Sequence, residues 1–470
     1  MEYHRVRNDE LSIKNLEQAN RLAHKYDPEH KTIILLPGGG GSILKRTTKR
    51  FDKPSPVSFK YDDVWIDIDI FPPKKEAYKL KIDSNGHDKG SHIIRAEGAL
   101  DYLIVVYDGT KKYFRLRDYN YFEYGFDWRR PLKECAKLLK EFLEEFRDLV
   151  EARGLDNPLS RTTLICHSHG GLVATQYLQN IFQGLNPTPG AVSKWIDKVI
   201  TVGTPFYANS GHIKRYYEGE KQLHLLLYDK RELAKTMSSM SGPYIFMYLD
   251  RETYNRDGAK LGLTEYPMVD SSDPNVEVDP YDPSSFSRFP RWINTQYIKD
   301  AKKSREEFTK KLSEAVRDRI YHIRGVKENK TPVKLRWKDI DGSTYNPKKD
   351  KVPIRVKKED RGPGDGTVPA WAARLAQVDD ERVYDLKKAK NHMDLMEHEE
   401  TLDVIRFVVE NDRLPKYMSV KNKKFLGVKS ASDGTLEKFV SNLDKGTIKI
   451  TDKEASDPKI WRAIINGMST

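Results

Sequence analysis

The chain has 470 residues, with 82 Lys and Arg against 70 Asp and Glu, so its formal net charge is +12. Charged residues make up 32% of the chain, apolar residues only 38% and aromatic residues 10%. This composition excludes collagen and coiled coils, and it indicates a globular core that carries polar surface insertions. No stretch approaches the ~20 apolar residues of a membrane-spanning helix.

Two features of the sequence bear on where the protein works. The first residues lack the apolar segment of a secretory signal, so secretion is not expected. The two cysteines, Cys135 and Cys166, are too few for a disulfide framework. They therefore predict a reducing, cytoplasmic location.

Short apolar segments, which predict strands, alternate with segments whose apolar residues recur every three or four positions, which predict helices. In chain order these are a strand at Lys31–Leu36, an edge strand at Val64–Ile70, a strand at Tyr102–Tyr107, a helix at Pro131–Val150, a strand at Thr162–Cys166, a helix starting near Leu172, a strand at Lys198–Val202, a strand at Val383–Leu386 and a helix through Val409. Glycine turns close several of the strands. The alternation predicts an α/β fold with a mostly parallel sheet.

Three segments stand outside this alternation. Residues 42–100 are mixed in character and predict an insertion. Residues 206–330 are polar and aromatic and too long for a connection, so they predict an inserted cap or lid. The remainder of residues 1–412, which starts with a polar leader, is expected to form one domain, and residues 413–470 form a basic C-terminal extension.

Positive charge is concentrated at two places. Residues 413–470 hold 12 Lys and Arg against 6 Asp and Glu, and a second cluster comprises Lys45, Arg46, Lys49, Arg50 and Lys53. One interpretation is solvated surface. The alternative is peripheral contact with an anionic membrane. Nucleic acid is not the expected partner, because no nucleic-acid-binding motif accompanies the charge, and the oligomeric state is left open.

The strongest chemical signal is the segment Cys166–Gly171, which reads Cys-His-Ser-His-Gly-Gly between a predicted strand and a predicted helix. A serine in this context forms a nucleophile elbow, which exposes its hydroxyl at the carboxyl end of the strand. The turn demands small residues two positions before and after Ser168. Gly170 meets this demand, and Cys166 replaces the usual glycine. The alternative is a purely structural serine in a strand-to-helix turn.

A serine nucleophile needs a base and an acid that orients the base. At a nucleophile elbow the chain order is serine, acid and histidine. Asp365 lies in a glycine-flanked turn, and His392 follows it before the last helix. The alternative interpretations are a turn aspartate that caps its own backbone and a histidine at the start of a helix. Asp360 and Asp394 are the competing acids.

The sequence also predicts donors for an oxyanion. The amide of His169 is one, because the residue after the nucleophile normally donates. The loop Gly38–Gly41 supplies the second, since glycine lets a backbone N–H approach a substrate closely. A plain turn or a phosphate cradle are the alternatives, although no Gly-Lys-Ser/Thr follows. His167 and His169 are expected to point away from Ser168, and as a His-x-His metal site they lack a third ligand.

Five further patches accompany the elbow, all in the order found in one family. They are Leu36–Ser42, Phe126–Arg129, Gly203–Phe206, Gly364–Pro369 and Asn391–His392. With these patches the chain resembles the lecithin:cholesterol acyltransferase-like family of α/β-hydrolases, over roughly residues 31–409. The resemblance implies an α/β-hydrolase fold, with helices on both faces of a mostly parallel sheet. The patch Phe126–Arg129 is expected to fix core packing.

The resemblance also implies roles for individual residues. Ser168 would be the nucleophile, Asp365 the acid and His392 the base. The amide of Gly39 would donate to the oxyanion, with Gly40 as a further candidate.

The resulting functional hypothesis is a serine esterase or lipase-type hydrolase that acts on acyl esters through a Ser-Asp-His triad. Lipid esters are the implied substrates, since the family includes phospholipases A, transacylases and acyltransferases. One alternative is an acyltransferase that passes the acyl group to an alcohol or amine. The alternative from another class is a catalytically silent hydrolase fold that binds a membrane or a protein. No metal or organic cofactor is implied.

Overall fold

The computed structural model describes residues 2–47, 61–65, 76–100, 107–219 and 230–415. Its strands are β1 (Thr32–Leu36), β2 (Ser42–Thr47), β3 (Tyr61–Trp65), β4 (Ile94–Ala99), β5 (Asn120–Glu123), β6 (Thr162–His167), β7 (Lys198–Val202), β8 (Met268–Asp270), β9 (Ile320–Gly325), β10 (Lys327–Pro332), β11 (Leu335–Trp337), β12 (Ile354–Arg355), β13 (Arg361–Gly364) and β14 (Val383–Leu386). Its α-helices are α1 (Glu2–Lys25), α2 (Asp108–Arg115), α3 (Leu132–Glu151), α4 (His169–Phe182), α5 (Pro189–Ser193), α6 (His212–Glu218), α7 (Lys230–Ser238), α8 (Arg251–Asp257), α9 (Thr295–Phe308), α10 (Glu314–Arg317) and α11 (Glu399–Asn411).

Six of these strands form the central sheet, in the order β14-β9-β7-β6-β1-β5. Every neighbouring pair is parallel; for example, Ile34 of β1 lies opposite Leu164 of β6. All five residues of β1 and of β7 are buried. Burial on both faces explains why these strands read as continuous apolar runs rather than as alternating patterns.

Helices cover both faces of this sheet. One group consists of α1, α3, α4 and α9, which pack side by side. A second group consists of α2 and α11, which are joined by a hydrogen bond from Tyr113 to Asp403. The chain therefore has the α/β-hydrolase fold, and the predicted fold class is confirmed.

Smaller sheets lie outside the central one. Within the predicted insertion 42–100, β3, β2 and β4 form an antiparallel sheet. A three-stranded sheet pairs β11 with β12 and β8, and β10 pairs with β13. The last of these pairings matters for the site, because β13 leads directly into the turn that contains Asp365.

The structure corrects three details of the sequence interpretation. The cap predicted at 206–330 extends too far, because β9 at Ile320–Gly325 is a strand of the central sheet. The polar leader is the 24-residue helix α1. Pro131 is the N-cap of α3 rather than part of its first turn.

A cluster of four charged residues is buried between α1, β4 and α3. Arg129 donates two hydrogen bonds to Asp127, at 2.8 and 2.6 Å, and Arg130 donates one to Asp88 at 2.6 Å. Arg129 also bonds to Asp88 at 3.0 Å. We call Asp88, Asp127, Arg129 and Arg130 the ion cluster. Its position inside the fold fits the packing role expected for the patch Phe126–Arg129.

Several predictions fall outside the described residues. They are the strand at Tyr102–Tyr107 up to residue 106, the edge strand beyond Trp65, the basic residues Lys49, Arg50 and Lys53, and the extension from residue 416 onward. Both cysteines are described, and each is buried and free. Among the helices of the described ranges, none is long and apolar enough to cross a membrane.

Candidate active site

Ser168 occupies a strained turn between β6 and α4. Its backbone angles are φ 50° and ψ −117°, a conformation that a residue with a side chain rarely adopts. The turn is held by a 2.9 Å hydrogen bond from the Ser168 amide to the carbonyl of Val202 on β7. Only 8% of the serine is exposed. Such strain persists where the surrounding structure enforces it, which is typical of functional sites.

The glycines behind the serine allow this turn to form. A Cβ atom added at Gly170 would lie 2.5 Å from the carbonyl oxygen of Leu36, and one at Gly171 would lie 2.0 Å from Oγ1 of Thr204. Helix α4 therefore packs directly against the end of β1, as an elbow requires. Cys166 is fully buried in β6, where burial raises the pKa of its thiol well above the usual value. It serves as a small, unreactive residue.

The structure brings Asp365 and His392 together. Nδ1 of His392 lies 2.7 Å from Oδ2 of Asp365, and both residues are buried. The other carboxylate oxygen of Asp365 accepts hydrogen bonds from the amides of Thr367 at 2.9 Å and Val368 at 2.7 Å. These amides fix the carboxylate, which in turn fixes the imidazole ring. The arrangement matches that of an acid orienting a base.

This pair lies beside the nucleophile turn. A Cβ atom added at Gly203, the residue after β7, would lie 3.1 Å from both Oδ2 of Asp365 and Cε1 of His392. The Ser168 amide bonds to the carbonyl of Val202, the residue before Gly203. Within the described ranges, neither Oγ of Ser168 nor Nε2 of His392 makes a hydrogen bond. Such contacts are often long in ligand-free sites and shorten when substrate binds.

The two competing acids are engaged elsewhere. Asp360 accepts hydrogen bonds from Arg336 at 2.8 and 2.9 Å. Burial acts to raise the pKa of Asp360, but the hydrogen bonds from Arg336 outweigh it and lower the pKa. Asp394 accepts a 2.7 Å hydrogen bond from the amide of Lys390 and so stabilises its own loop.

The glycine loop and the start of α4 present free amides next to Ser168. The loop is a tight turn closed by a 2.9 Å hydrogen bond from the Gly41 amide to the Gly38 carbonyl. Within the described chain, the amides of Gly39, Gly40 and His169 donate to no acceptor. A Cβ atom at Gly39 would lie 3.5 Å from Nδ1 of His169, so the loop faces the helix start. Free amides at a helix N-terminus favour negative charge.

The two histidines that flank the serine have opposite environments. His167 is bonded at both ring nitrogens, to the Tyr107 hydroxyl at 2.9 Å and to the His392 carbonyl at 3.1 Å. Both ring nitrogens of His169 are buried and have no hydrogen-bond partner among the described residues, and burial lowers the pKa of His169 to about 3. In the part of the chain described, no three His, Cys, Asp or Glu side chains are grouped so that they could hold a metal ion.

Sequence reasoning did not identify Tyr107. Its hydroxyl is buried and contacts both the glycine loop and His167. In the sequence it ends a predicted apolar strand, so only its burial was foreseeable. A contact between segments about 60 residues apart leaves no local signal.

Comparison with known proteins gives low similarity. No protein-family model matches the chain, and no curated protein matches it. Among solved structures, a chain of the Tle4–Tli4 complex is similar at 13% identity and a TM-score of 0.48, with 81% of this chain and 98% of that chain covered. The mature lipase BlEst2 of Bacillus licheniformis is similar at 12% identity and a TM-score of 0.30, with 82% and 93% covered. The fold assignment rests on the sheet and the turn described above.

Proposed function

We propose that this protein is a serine hydrolase that cleaves acyl esters through a covalent acyl-enzyme. The observation that carries the proposal is the strained Ser168 turn beside the 2.7 Å pair of Asp365 and His392. Ser168 follows β6 at the carboxyl edge of the parallel sheet, and Asp365 and His392 lie against Gly203, which follows β7 at the same edge. This edge is where active sites of open α/β sheets form.

In the proposed reaction, Oγ of Ser168 attacks the ester carbonyl while Nε2 of His392 takes the hydroxyl proton. Asp365 accepts a hydrogen bond from Nδ1–H of His392 and stabilises the imidazolium that forms. The amides of Gly39 and His169, with Gly40 as a further donor, stabilise the tetrahedral oxyanion. His392 then returns the proton to the departing alcohol, which leaves an acyl group on Ser168. Water attacks this ester with the same base, and the free acid is released.

Aromatic side chains around the glycine loop support an apolar substrate. Trp65 donates a 2.6 Å hydrogen bond to the carbonyl of Gly40. The rings of Phe126 and Phe246 pack edge-on against His169, at centroid distances of 5.2 and 4.8 Å. An ester carbonyl bound at this loop would therefore be surrounded by apolar surface. An acyl chain, as in a lipid ester, is the substituent that gains most from such surroundings.

An active-site fluorophosphonate tests this proposal without knowledge of the substrate. The probe should label the wild-type protein at Ser168, as mapped by mass spectrometry, because the probe requires an activated serine. Ser168→Ala should fold normally and lose the label. Ser210→Ala is the matched control, because Ser210 is also buried and, among the described residues, bonds only to Thr367. Labelling that persists in Ser168→Ala contradicts the assigned nucleophile.

The final acyl acceptor distinguishes the hydrolase from an acyltransferase. Ser168 is only 8% exposed, so water and an alcohol must reach the acyl-enzyme by the same restricted route, which favours water as the smaller and more abundant acceptor. A panel of lipid esters incubated with and without an alcohol should be followed by mass spectrometry. We expect free fatty acid as the main product. An acyl-alcohol product that dominates at modest alcohol concentration contradicts hydrolysis and favours transfer.

We also propose that the enzyme works at anionic lipid surfaces on the cytoplasmic side of a membrane. The support is the excess of basic residues in the sequence, together with two buried, free thiols that suit a reducing compartment. Each Lys or Arg near an anionic surface contributes about 1 kcal/mol, so several acting together suffice for adsorption.

Co-sedimentation with lipid vesicles tests the membrane proposal. We expect stronger binding to anionic than to neutral vesicles, and we expect this binding to weaken as salt rises. Hydrolysis of a soluble short-chain ester should change little over the same salt range. Equal binding to both kinds of vesicle, without salt dependence, contradicts membrane attraction and leaves a soluble esterase.

A further inference from the structure

His167, the residue before the proposed nucleophile, belongs to a directed chain of hydrogen bonds. The Gly38 amide can only donate, so the Tyr107 oxygen accepts its hydrogen at 2.7 Å. The Tyr107 hydroxyl is then free to donate to Nδ1 of His167 at 2.9 Å. The His392 carbonyl can only accept, so Nε2 of His167 carries the hydrogen of the 3.1 Å contact. These bonds define one neutral tautomer of His167.

This chain of hydrogen bonds joins the two loops that carry the proposed catalytic groups. Gly38 starts the turn that presents the Gly39 amide, and His392 carries the base. Tyr107 and His167 are each only 1% exposed, so both lie in the protein interior behind the nucleophile. The His167 ring also packs against the His392 ring at a centroid distance of 4.8 Å. One tyrosine hydroxyl and one imidazole thus connect the oxyanion side of the site to its base side.

We propose that Tyr107 and His167 are positioning residues, which hold the oxyanion loop and the base loop at a fixed separation on the two sides of Ser168. The inference rests on the proposed function. Neither residue hydrogen-bonds to a reacting atom. Tyr107 acts through the amide of Gly38, and His167 acts through the carbonyl of His392 and by packing against its ring. Their contribution is orientation, which matters because a displacement of about 1 Å can cost about 100-fold in rate.

A positioning role differs measurably from simple packing. Tyr107→Phe keeps the ring and removes only the hydroxyl, which leaves the Gly38 amide and Nδ1 of His167 without partners. A buried polar group left unpaired is destabilising, and a small shift of either loop can relieve that penalty. Loop shifts change the rate constant of the chemical step, whereas a pure loss of packing lowers the melting temperature alone.

The rate of Ser168 phosphonylation by the fluorophosphonate probe reads out this positioning. For Tyr107→Phe and His167→Leu we expect the maximal inactivation rate to fall by about 10- to 100-fold, with the half-saturating probe concentration unchanged. His167→Gln should recover part of the rate, because its amide N–H can still reach the His392 carbonyl. The double variant Tyr107→Phe/His167→Leu should react no more slowly than His167→Leu, since both substitutions break the same chain of hydrogen bonds.

Two buried residues elsewhere supply matched controls. Tyr177 donates one 2.9 Å hydrogen bond to the Trp195 carbonyl, and His322 is bonded at both ring nitrogens, to Thr201 at 2.6 Å and to Leu375 at 3.2 Å. Tyr177→Phe and His322→Gln should lower the melting temperature by similar amounts and leave the phosphonylation rate of the folded protein unchanged. Equal rate losses in controls and test variants contradict the inference.

The wild-type protein provides an independent measurement. Nitrogen-15 NMR of histidine-labelled protein at pH 7 should show His167 as the neutral tautomer with its hydrogen on Nε2. A charged ring, or a hydrogen on Nδ1, contradicts the hydrogen-bond chain. If Ser168 of the wild type does not react with the probe, the proposed function fails and this inference fails with it. If Ser168 reacts and Tyr107→Phe reacts equally fast, only the inference fails.

Discussion

Buried acidic residues in two regions of this protein have different partners. In the candidate site, the carboxylate of Asp365 bonds to a histidine ring, and the ring nitrogen on the far side is left without a described partner. In the ion cluster, Asp88 and Asp127 are bonded to arginines. Arginine does not give up its proton, whereas histidine does so near neutral pH. The first arrangement is suited to moving a proton, and the second is suited to holding elements of the fold together.

The largest expected effect separates the two groups by activity. Asp365→Asn and His392→Ala should each lower kcat by about 10⁴-fold and leave the melting temperature nearly unchanged, because they disable the base. Their effects should not add, since both residues act through the same proton transfer. Steady-state kinetics on a lipid ester, with a thermal melt for each variant, checks this. The assignment of the acid is wrong if Asp360→Asn or Asp394→Asn abolishes activity instead.

The next effect is on stability. Asp127→Asn should lower the free energy of unfolding by about 3–5 kcal/mol, because it leaves the charge of Arg129 buried without its main partner. The phosphonylation rate of the folded fraction should stay at the wild-type value. Denaturant titration gives the stability. Asp148→Asn is the control, because Asp148 pairs with Arg147 at the surface, is 62% exposed and should contribute at most about 1 kcal/mol. Equal losses in the two variants would refute a special role for the ion cluster.

The elements around the site were predictable because the local sequence requirements of its strands and of its turn point to the same fold. Buried parallel strands demand apolar runs, and the elbow demands small residues at fixed offsets from Ser168. Glycine is required at position 170 because a Cβ atom there would lie 2.5 Å from the Leu36 carbonyl oxygen, so the sequence pattern and the packing express one constraint. Asp365 and His392 followed from chain order, and the structure brings these two side chains into contact.

Other elements were not predictable because their buried surfaces are polar. Helix α1 turns Arg7, Lys14 and Gln18 toward the interior, so the apolar spacing that reveals a helix is diluted. The predicted cap was extended too far because β9 contains His322 and Arg324, residue types that indicate a surface segment. In the fold, Thr201 and the Leu375 amide satisfy both ring nitrogens of His322. Such residues are tolerated in a core only when residues distant in the sequence satisfy their hydrogen bonds.

A smaller effect distinguishes the ion cluster by its response to acid. Burial acts to raise the pKa of Asp88, but the charges of Arg130 and Arg129 outweigh it and lower the pKa to about 2. Because this value lies below the ordinary value of about 4 in the unfolded chain, the stabilisation is present above pH 4 and is lost as the pH falls toward 2. The expected loss is on the order of 2 kcal/mol. Asp88→Asn should lack this component in acid-unfolding titrations, and an identical pH profile for the two proteins would contradict it.

The smallest effect uses the two native cysteines as reporters, since one lies in each region. Sγ of Cys135 donates to the carbonyl of Asp127 at 3.4 Å, and Cys166 lies in the elbow strand. Burial raises the pKa of both thiols well above the usual value, so alkylation requires local opening. In Asp127→Asn, opening near the ion cluster should be favoured first. If only one or two of the expected ~3–5 kcal/mol act on this local opening, alkylation of Cys135 is still about 5- to 30-fold faster. Alkylation of Cys166 should accelerate less.

The Asp365→Asn variant completes this thiol experiment. Because it changes the proposed orienting acid rather than a structural ion pair, neither thiol should become more reactive than in the wild type. Peptide mapping after timed exposure to iodoacetamide separates the two rates. If Asp127→Asn exposes both cysteines at the same rate, the two regions unfold as one cooperative unit. The ion cluster would then stabilise the whole of this region of the fold, including the sheet edge that carries Ser168, rather than the region around α1 and α3 alone.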